Sequence, residues 1–361
     1  MTSLLKLSTT LIVILLIAAS VHAGPGPEPQ QLQWGGQAMP EKIPFQPGLL
    51  FEELEVVGTN GVRLPSEIDS SLELATMTSD AVPTAEEIDL TTDPQLPPGA
   101  REGIFQKLFF TGTWLPQLDG DSLGWGDLET GAVFGFPLFR RDTPLLVTTS
   151  FNAHLLDRPD GADIPHQVYD TAFEFRHLRK FGNGPWAMDV AVTLGYYSDF
   201  SSSDGDAFRV TGRGVGVYED ANGTKWLLGV GYFNRAGASV LPIAGAIVQH
   251  SPDVKWELIF PRPRIAWRLP SAVPGCDERW WYVGGEFSGG IWSIERPISL
   301  TRDNITYSDY RLMVGYERKI VGGLSRRYEA GYVMGREFEF DSGAPNIKLD
   351  DTIFLRAGLI Y

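Results

Sequence analysis

The chain has 361 residues, a formal net charge of −15, 40 Gly, 10 Trp, 12 Tyr, 20 Phe and only 21% charged residues. Its basic residues are scattered singly, which excludes a nucleic-acid footprint, and its glycine and aromatic content describes strands and turns rather than helices. Cys276 is the single cysteine, so no intramolecular disulfide holds the fold.

In chain order, Lys6 precedes the apolar run from Leu11 to Ala19, and Val21-His22-Ala23 supplies small residues at a cleavage position. Residues 1–23 read as a secretory signal peptide. Cleavage would expose Gly24, where a lipoprotein would need Cys. No later stretch reaches the roughly 18 apolar residues of a transmembrane helix. Residues 24–102 carry fourteen acidic residues against three basic ones and are rich in Pro, Gln, Ser and Thr. That composition buries too little apolar surface to offset the entropy of ordering. It predicts a disordered periplasmic arm in which Ile43 to Val57 is the segment able to dock.

From residue 103 the period becomes 2. In Leu145 to Leu155 one face carries Leu145, Val147, Thr149, Phe151, Ala153 and Leu155, the other Leu146, Thr148, Ser150, Asn152 and His154. Tyr169, Thr171, Phe173 and Phe175 alternate with Asp170, Ala172, Glu174 and Arg176. Trp186 to Tyr196, Trp226 to Tyr232, Tyr310 to Tyr316 and Tyr328 to Met334 repeat the pattern, with aromatics near the ends of each apolar stripe. Short links such as Glu219 to Gly223 alternate with longer polar ones such as Asp157 to His166. Long alternating strands, aromatic ends and unequal loops predict a transmembrane antiparallel up-and-down β-barrel over residues 103–361, because only a closed sheet satisfies its backbone in lipid. Even parity admits 12 or 14 strands; about 12 is expected, with 14 as the alternative. The ambiguity rests on Phe260-Pro261-Arg262-Pro263, which is either a tight turn or an irregularity within one strand.

The final stretch alternates through Ile353, Leu355, Ala357 and Leu359 to Tyr361. A last strand closing on an aromatic resembles the signal read by the outer-membrane assembly machinery, making Leu359 and Tyr361 the expected assembly signal. Phe110 to Pro116, Leu241 to Gly245, Phe260 to Pro263 and Asp350 to Tyr361 together resemble a planctomycete-type outer-membrane β-barrel family of unknown function. The resemblance covers about residues 104–361 and implies fold and location in the outer membrane of a Gram-negative-type bacterium, but no substrate.

With the apolar stripes facing lipid, Lys107, Arg176, Arg209, Arg213, Lys225, Arg264, Arg268, Arg311 and Arg356 face the lumen together with Asp127, Glu129, Asp170, Glu174, Asp189, Glu257, Glu286, Glu317, Glu329 and Glu337. The signs nearly balance. A water-filled lumen would then pass small solutes with weak ion selectivity, the porin-like reading. In a narrow barrel the same charges would instead pair as a plug, leaving a structural or interaction barrel. A carrier of apolar molecules and a membrane hydrolase are the further alternatives. Ser150, Asn152 and His154 share a face, but successive residues on one face of a strand lie about 7 Å apart, too far for a nucleophile to reach its base, so no catalytic residues and no enzyme activity are expected. Asp119-Gly120-Asp121 with Asp127, and Asp204-Gly205-Asp206, read as turns rather than calcium loops. No metal, cofactor or nucleic-acid partner is expected. The expected partners are the bilayer and the assembly machinery, and the oligomeric state is left open.

Overall fold

A computed structural model describes residues 103–361 apart from 119–121, 139, 160, 182–183, 202–204, 234–238, 271–276 and 321–322. The signal-peptide and acidic-arm readings, Cys276, and the Asp119-Gly120-Asp121 and Asp204 positions lie outside the described residues.

The alternating runs form fifteen strands: β1 (Phe105–Leu115), β2 (Gly124–Leu138), β3 (Arg140–Asp157), β4 (Gln167–Lys180), β5 (Trp186–Ser198), β6 (Phe208–Glu219), β7 (Lys225–Tyr232), β8 (Val240–Ser251), β9 (Val254–Phe260), β10 (Arg264–Leu269), β11 (Asp277–Glu295), β12 (Arg302–Ile320), β13 (Ser325–Phe340), β14 (Ile347–Leu349) and β15 (Thr352–Ile360). Each pairs antiparallel with its sequence neighbour from β1 to β13, and both β14 and β15 pair with β13. They therefore act as one interrupted stave. β15 then pairs with β1, from Phe109 opposite Ile360 to Trp114 opposite Leu355. The sheet is a closed ring of fourteen staves. Fourteen is the higher of the two expected counts, because Pro261, Arg262 and Pro263 form a turn between β9 and β10 rather than an irregularity inside one strand.

The alternation sets which face meets which medium. Outward Leu228 is 74% exposed and Leu312 57%, while inward Asp170 is 0% and Arg356 3% exposed. An apolar exterior around a charged interior inverts the soluble arrangement, and an exposed apolar belt of this size marks a membrane-facing surface. On β5 the outward aromatics Trp186 and Tyr196 lie ten residues apart. At about 3.3 Å per residue and a tilt of roughly 40°, that spans about 25 Å, the height of a lipid-facing band.

Turns at the end where β1 begins and β15 ends are mostly short, as between β6 and β7 and between β8 and β9. Those at the opposite end are longer, as between β3 and β4, with the three-residue β9–β10 turn as the exception. We call the two ends the short-turn rim and the mouth. At the mouth the wall is uneven. β10 stops where Arg264 pairs with Gly284, yet β11 continues for eleven more residues to Glu295 alongside β12. This upper β11–β12 arm bends inward and reaches β5, with Ser293 opposite Ser198 in a parallel bridge. Residues Ser288 to Ile294 are buried on both faces of the strand, as expected of a strand folded into the barrel rather than forming its wall.

Candidate functional site

The interior is built from inward positions of strands around the ring, and three groups of side chains meet there. On one wall, Arg176 on β4 makes a bidentate pair with Asp189 on β5 at 2.8 and 2.9 Å. Arg213 on β6 joins it, 2.9 Å from Glu174 and 3.5 Å from Asp189. On the facing wall Arg356 of β15 bridges Glu286 of β11 at 3.0 Å and Glu329 of β13 at 2.7 Å. Glu329 also accepts from Arg262 at 2.7 Å and from the Tyr282 hydroxyl at 2.6 Å. Next to this group Arg264 pairs with Glu257, and Lys255 approaches the same carboxylate at 2.9 Å.

The third group lies below the mouth. The His154 ring is held between two carboxylates, Asp127 at 2.5 Å and Asp170 at 3.0 Å. Asp170 also accepts from the Trp292 indole on the inward arm, so the arm is tied to β4 through a buried polar contact. Arg311 and Asp309 of β12 form a bidentate pair at 2.9 and 2.8 Å close by. A cavity of about 30 Å³ is lined by Thr113, Asp127, Asn152, His154, Trp292 and Arg311, among others. That is the scale of one or two water molecules and too small for a solute.

Above it the mouth is packed with apolar groups. Trp125 stacks on Tyr307 with ring centroids 4.6 Å apart, and Phe338 sits 5.2 Å from Tyr307. Leu115, Leu123, Leu156, Ile164, Ile294, Ile305 and Phe340 belong to the same cluster. On the β6 to β9 side, Val215, Val217, Leu227, Ile243, Ile247 and Ile259 face inward and pack on one another.

The expected lumen residues Lys107, Glu129, Asp170, Glu174, Arg176, Asp189, Arg209, Glu286, Arg311, Glu329 and Arg356 are all buried, and Arg213 has a side chain only 9% exposed. Arg209 donates to Asn304 on the inward arm at 3.0 Å. Asp127 turns inward to His154 and Trp125 rather than forming part of a loop site. Ser150 and Asn152 point into the barrel beside His154, and the His154 ring contacts carboxylates rather than a hydroxyl.

Glu337 is the correction. The register between β12 and β13 shifts after Ser308, with Gly335 at φ 61°. The resulting bulge turns Glu337 to the outer side, where it accepts from Asn346 at 3.2 Å. Arg336 goes inside instead. It is 1% exposed and donates to the Tyr307 hydroxyl and to the carbonyls of Leu123 and Asp350. A regular period of two cannot reveal a bulge, although the glycine at 335 marks a position tolerant of one. Arg262 was missed for another reason: it lies in a turn, where the period carries no sidedness.

The fold and interior define a closed antiparallel barrel of the outer-membrane type, lipid-facing outside and charge-paired within. No protein-family model and no curated protein sequence matches the chain. Among solved structures it is similar to the β-domain of the Bordetella autotransporter BrkA, with 12% identity, a TM-score of 0.31, and coverage of 71% of this chain and 97% of that one.

Proposed function

We propose that the protein is an exported outer-membrane barrel that is closed at rest and acts as a structural or interaction barrel rather than as an open porin. The observation that carries this reading is the burial of the inward charges. In a water-filled channel such side chains would be solvated, whereas here Asp170, Asp189, Glu329 and Arg176 are no more than 4% exposed and face opposite charges or hydrogen-bond donors. Mutual pairing replaces water, and the inward β11–β12 arm with its aromatic cluster fills the mouth. The polar, mixed-charge stripes that suggest a porin-like lumen carry nearly equal numbers of both signs, and that balance lets the groups neutralise one another. Location in the outer membrane is supported by the signal-peptide-like start, the apolar exterior and the rim asymmetry.

Planar-bilayer recording tests the proposal. The full chain is expected to insert as a heat-modifiable species and stay electrically silent across moderate voltages. Removing the plug by replacing residues 288–307 with a short Gly/Ser turn is expected to produce stepwise conductance. Steady openings from the unaltered chain would instead favour passive solute passage.

A further inference from the structure

On the outer surface near the short-turn rim, three arginines stand at directly paired positions on adjacent strands. Arg279 on β11 is opposite Arg318 on β12, and Arg318 is opposite Arg326 on β13. The row directly above them, two residues toward the membrane centre on each strand, is aromatic: Trp281 opposite Tyr316, and Tyr316 opposite Tyr328, with Trp267 stacked on Trp281 at 4.3 Å. Leucines flank the arginines at the same level, Leu269 opposite Arg279 and Leu359 opposite Arg326. Two residues along a tilted strand is about 5 Å, so the guanidinium groups lie just beyond the aromatic girdle, at headgroup depth.

Like charges directly opposite one another on neighbouring strands are unfavourable. One carboxylate relieves part of this: Asp277 accepts from Arg318 at 2.9 and 3.0 Å and from Arg279 at 2.8 Å. Three cations against one anion leave a net charge of +2, and no ion pair to Arg326 occurs among the described residues. Arg279 and Arg318 remain 30% and 27% exposed toward the lipid side. Adjacent strands lie about 4.8 Å apart, so the row is roughly 10 Å wide, the span of one phospholipid headgroup. Guanidinium forks match phosphate oxygens in pairs.

We propose that Arg279, Arg318 and Arg326 bind the phosphate of an anionic phospholipid in the leaflet at the short-turn rim. In an outer-membrane barrel that is the periplasmic leaflet. The inference rests on the barrel spanning a membrane, not on its interior being closed. The aromatic row above takes the glycerol and upper acyl region, and the two leucines bound the site laterally.

The full chain, refolded in neutral detergent with equal amounts of phosphatidylglycerol and phosphatidylcholine, tests this by native mass spectrometry of the retained lipid. Each net basic charge at an anionic surface is worth about fivefold in binding. Two such charges predict about a 25-fold preference for phosphatidylglycerol, which is lost in an Arg279→Gln, Arg318→Gln, Arg326→Gln triple variant. Where that variant fails the heat-modifiability check of folding, Arg326→Gln alone, which leaves the Asp277 contacts in place, is expected to lower the preference about fivefold. Equal retention of both lipids, or a preference unchanged in whichever variant folds, overturns the proposal. Displacement of phosphatidylglycerol by millimolar inorganic phosphate would make the row a free-phosphate site and overturn the lipid assignment. A chain that never forms a heat-modifiable barrel overturns the membrane reading along with this one, whereas a folded barrel that does not discriminate overturns this one alone.

Discussion

The buried ion pairs act as constraints more than as adhesives. Removing an arginine and its carboxylate from water costs several kcal/mol, and their attraction offsets this only while both partners remain. Arg176→Met should therefore destabilise the barrel by about 3 kcal/mol, because Asp189 is left with the longer 3.5 Å contact to Arg213. Adding Asp189→Leu should restore part of the loss, since Arg213 keeps Glu174. Urea unfolding of the micelle-inserted barrel would measure both, and strictly additive losses would count against the pairing account. At the mouth, Asp163 fastens the β3–β4 loop to the β11–β12 loop. It accepts from the backbone of Ile298 at 2.7 Å and from Arg296 at 3.0 Å. Burial pushes its carboxyl up, but hydrogen bonds from Ile298 and Ser299 and the Arg296 charge hold it below its ordinary range. A depressed folded value means that this fastening contributes fully above the ordinary carboxylate pKa and is lost as pH falls through the folded one. Protection of the Ile298 and Ser299 amides, taken as exchange relative to the intrinsic rate at each pH, should thus hold from neutral pH downward and fall only below about pH 4. In Asp163→Asn this acid-induced step should disappear.

At the scale of elements, the decisive feature is the inward bend of the β11–β12 hairpin. β11 follows the wall while β10 is beside it, and its Gly285 and Phe287 amides then donate to the carbonyls of Pro263 and Pro261 in the β9–β10 turn; above Phe287 neither β10 nor its turn accompanies it. Its outer edge beyond that point would face lipid with unpaired amides, which hydrocarbon does not tolerate. Bending inward buries that edge and brings Ser293 to Ser198 and Trp292 to Asp170. Gly289 permits the close approach of β11 to β12: its φ is 154°, and a Cβ there would stand 2.2 Å from the Tyr307 carbonyl oxygen. Gly289→Ala is accordingly expected to destabilise by about 1–3 kcal/mol. It should also loosen the mouth, which would appear as faster exchange at Trp292 and Ile294 than at the wall strand β4. Uniform effects on both would indicate a general loss of stability instead.

For the whole molecule, closure depends on one seam, β1 against β15. Leu108 and Tyr361 exchange backbone hydrogen bonds at 2.8 Å in both directions, extending the seam past the last paired strand residue. The Tyr361 ring is 48% exposed at the short-turn rim. Because those bonds are made by the backbone, the ring contributes only about 1–2 kcal/mol at an interface. Tyr361→Ser should therefore lower the unfolding temperature of inserted protein only slightly. If the terminal aromatic is read by the assembly machinery, the same change should lower the amount inserted in cells severalfold. Fractionation and melting of the same samples separate the two effects, and unchanged insertion would leave Tyr361 as an ordinary strand end.

Alternation along the chain is enough to assign the side of each regular strand that meets lipid. Leu228 and Val230 against Lys225 and Leu227, or Phe173 and Phe175 against Asp170 and Arg176, follow from a period of two and from the difference between hydrocarbon and a polar interior. Sidedness is a local property, so it is legible residue by residue. What the inward residues do is set by contacts made in the folded barrel. Whether Arg356 meets water or two carboxylates depends on Glu286 and Glu329, which are brought to it by the closure of β15 on β1 and β13. Pairing across the interior is set by strand count, stagger and the inward hairpin, and none of these has a local signature. The same holds for the bulge that exchanges Glu337 for Arg336 and for the turn at Pro261 to Pro263 that settles fourteen staves over twelve. An alternating pattern records direction, while register and closure are set by contacts between residues far apart in the chain.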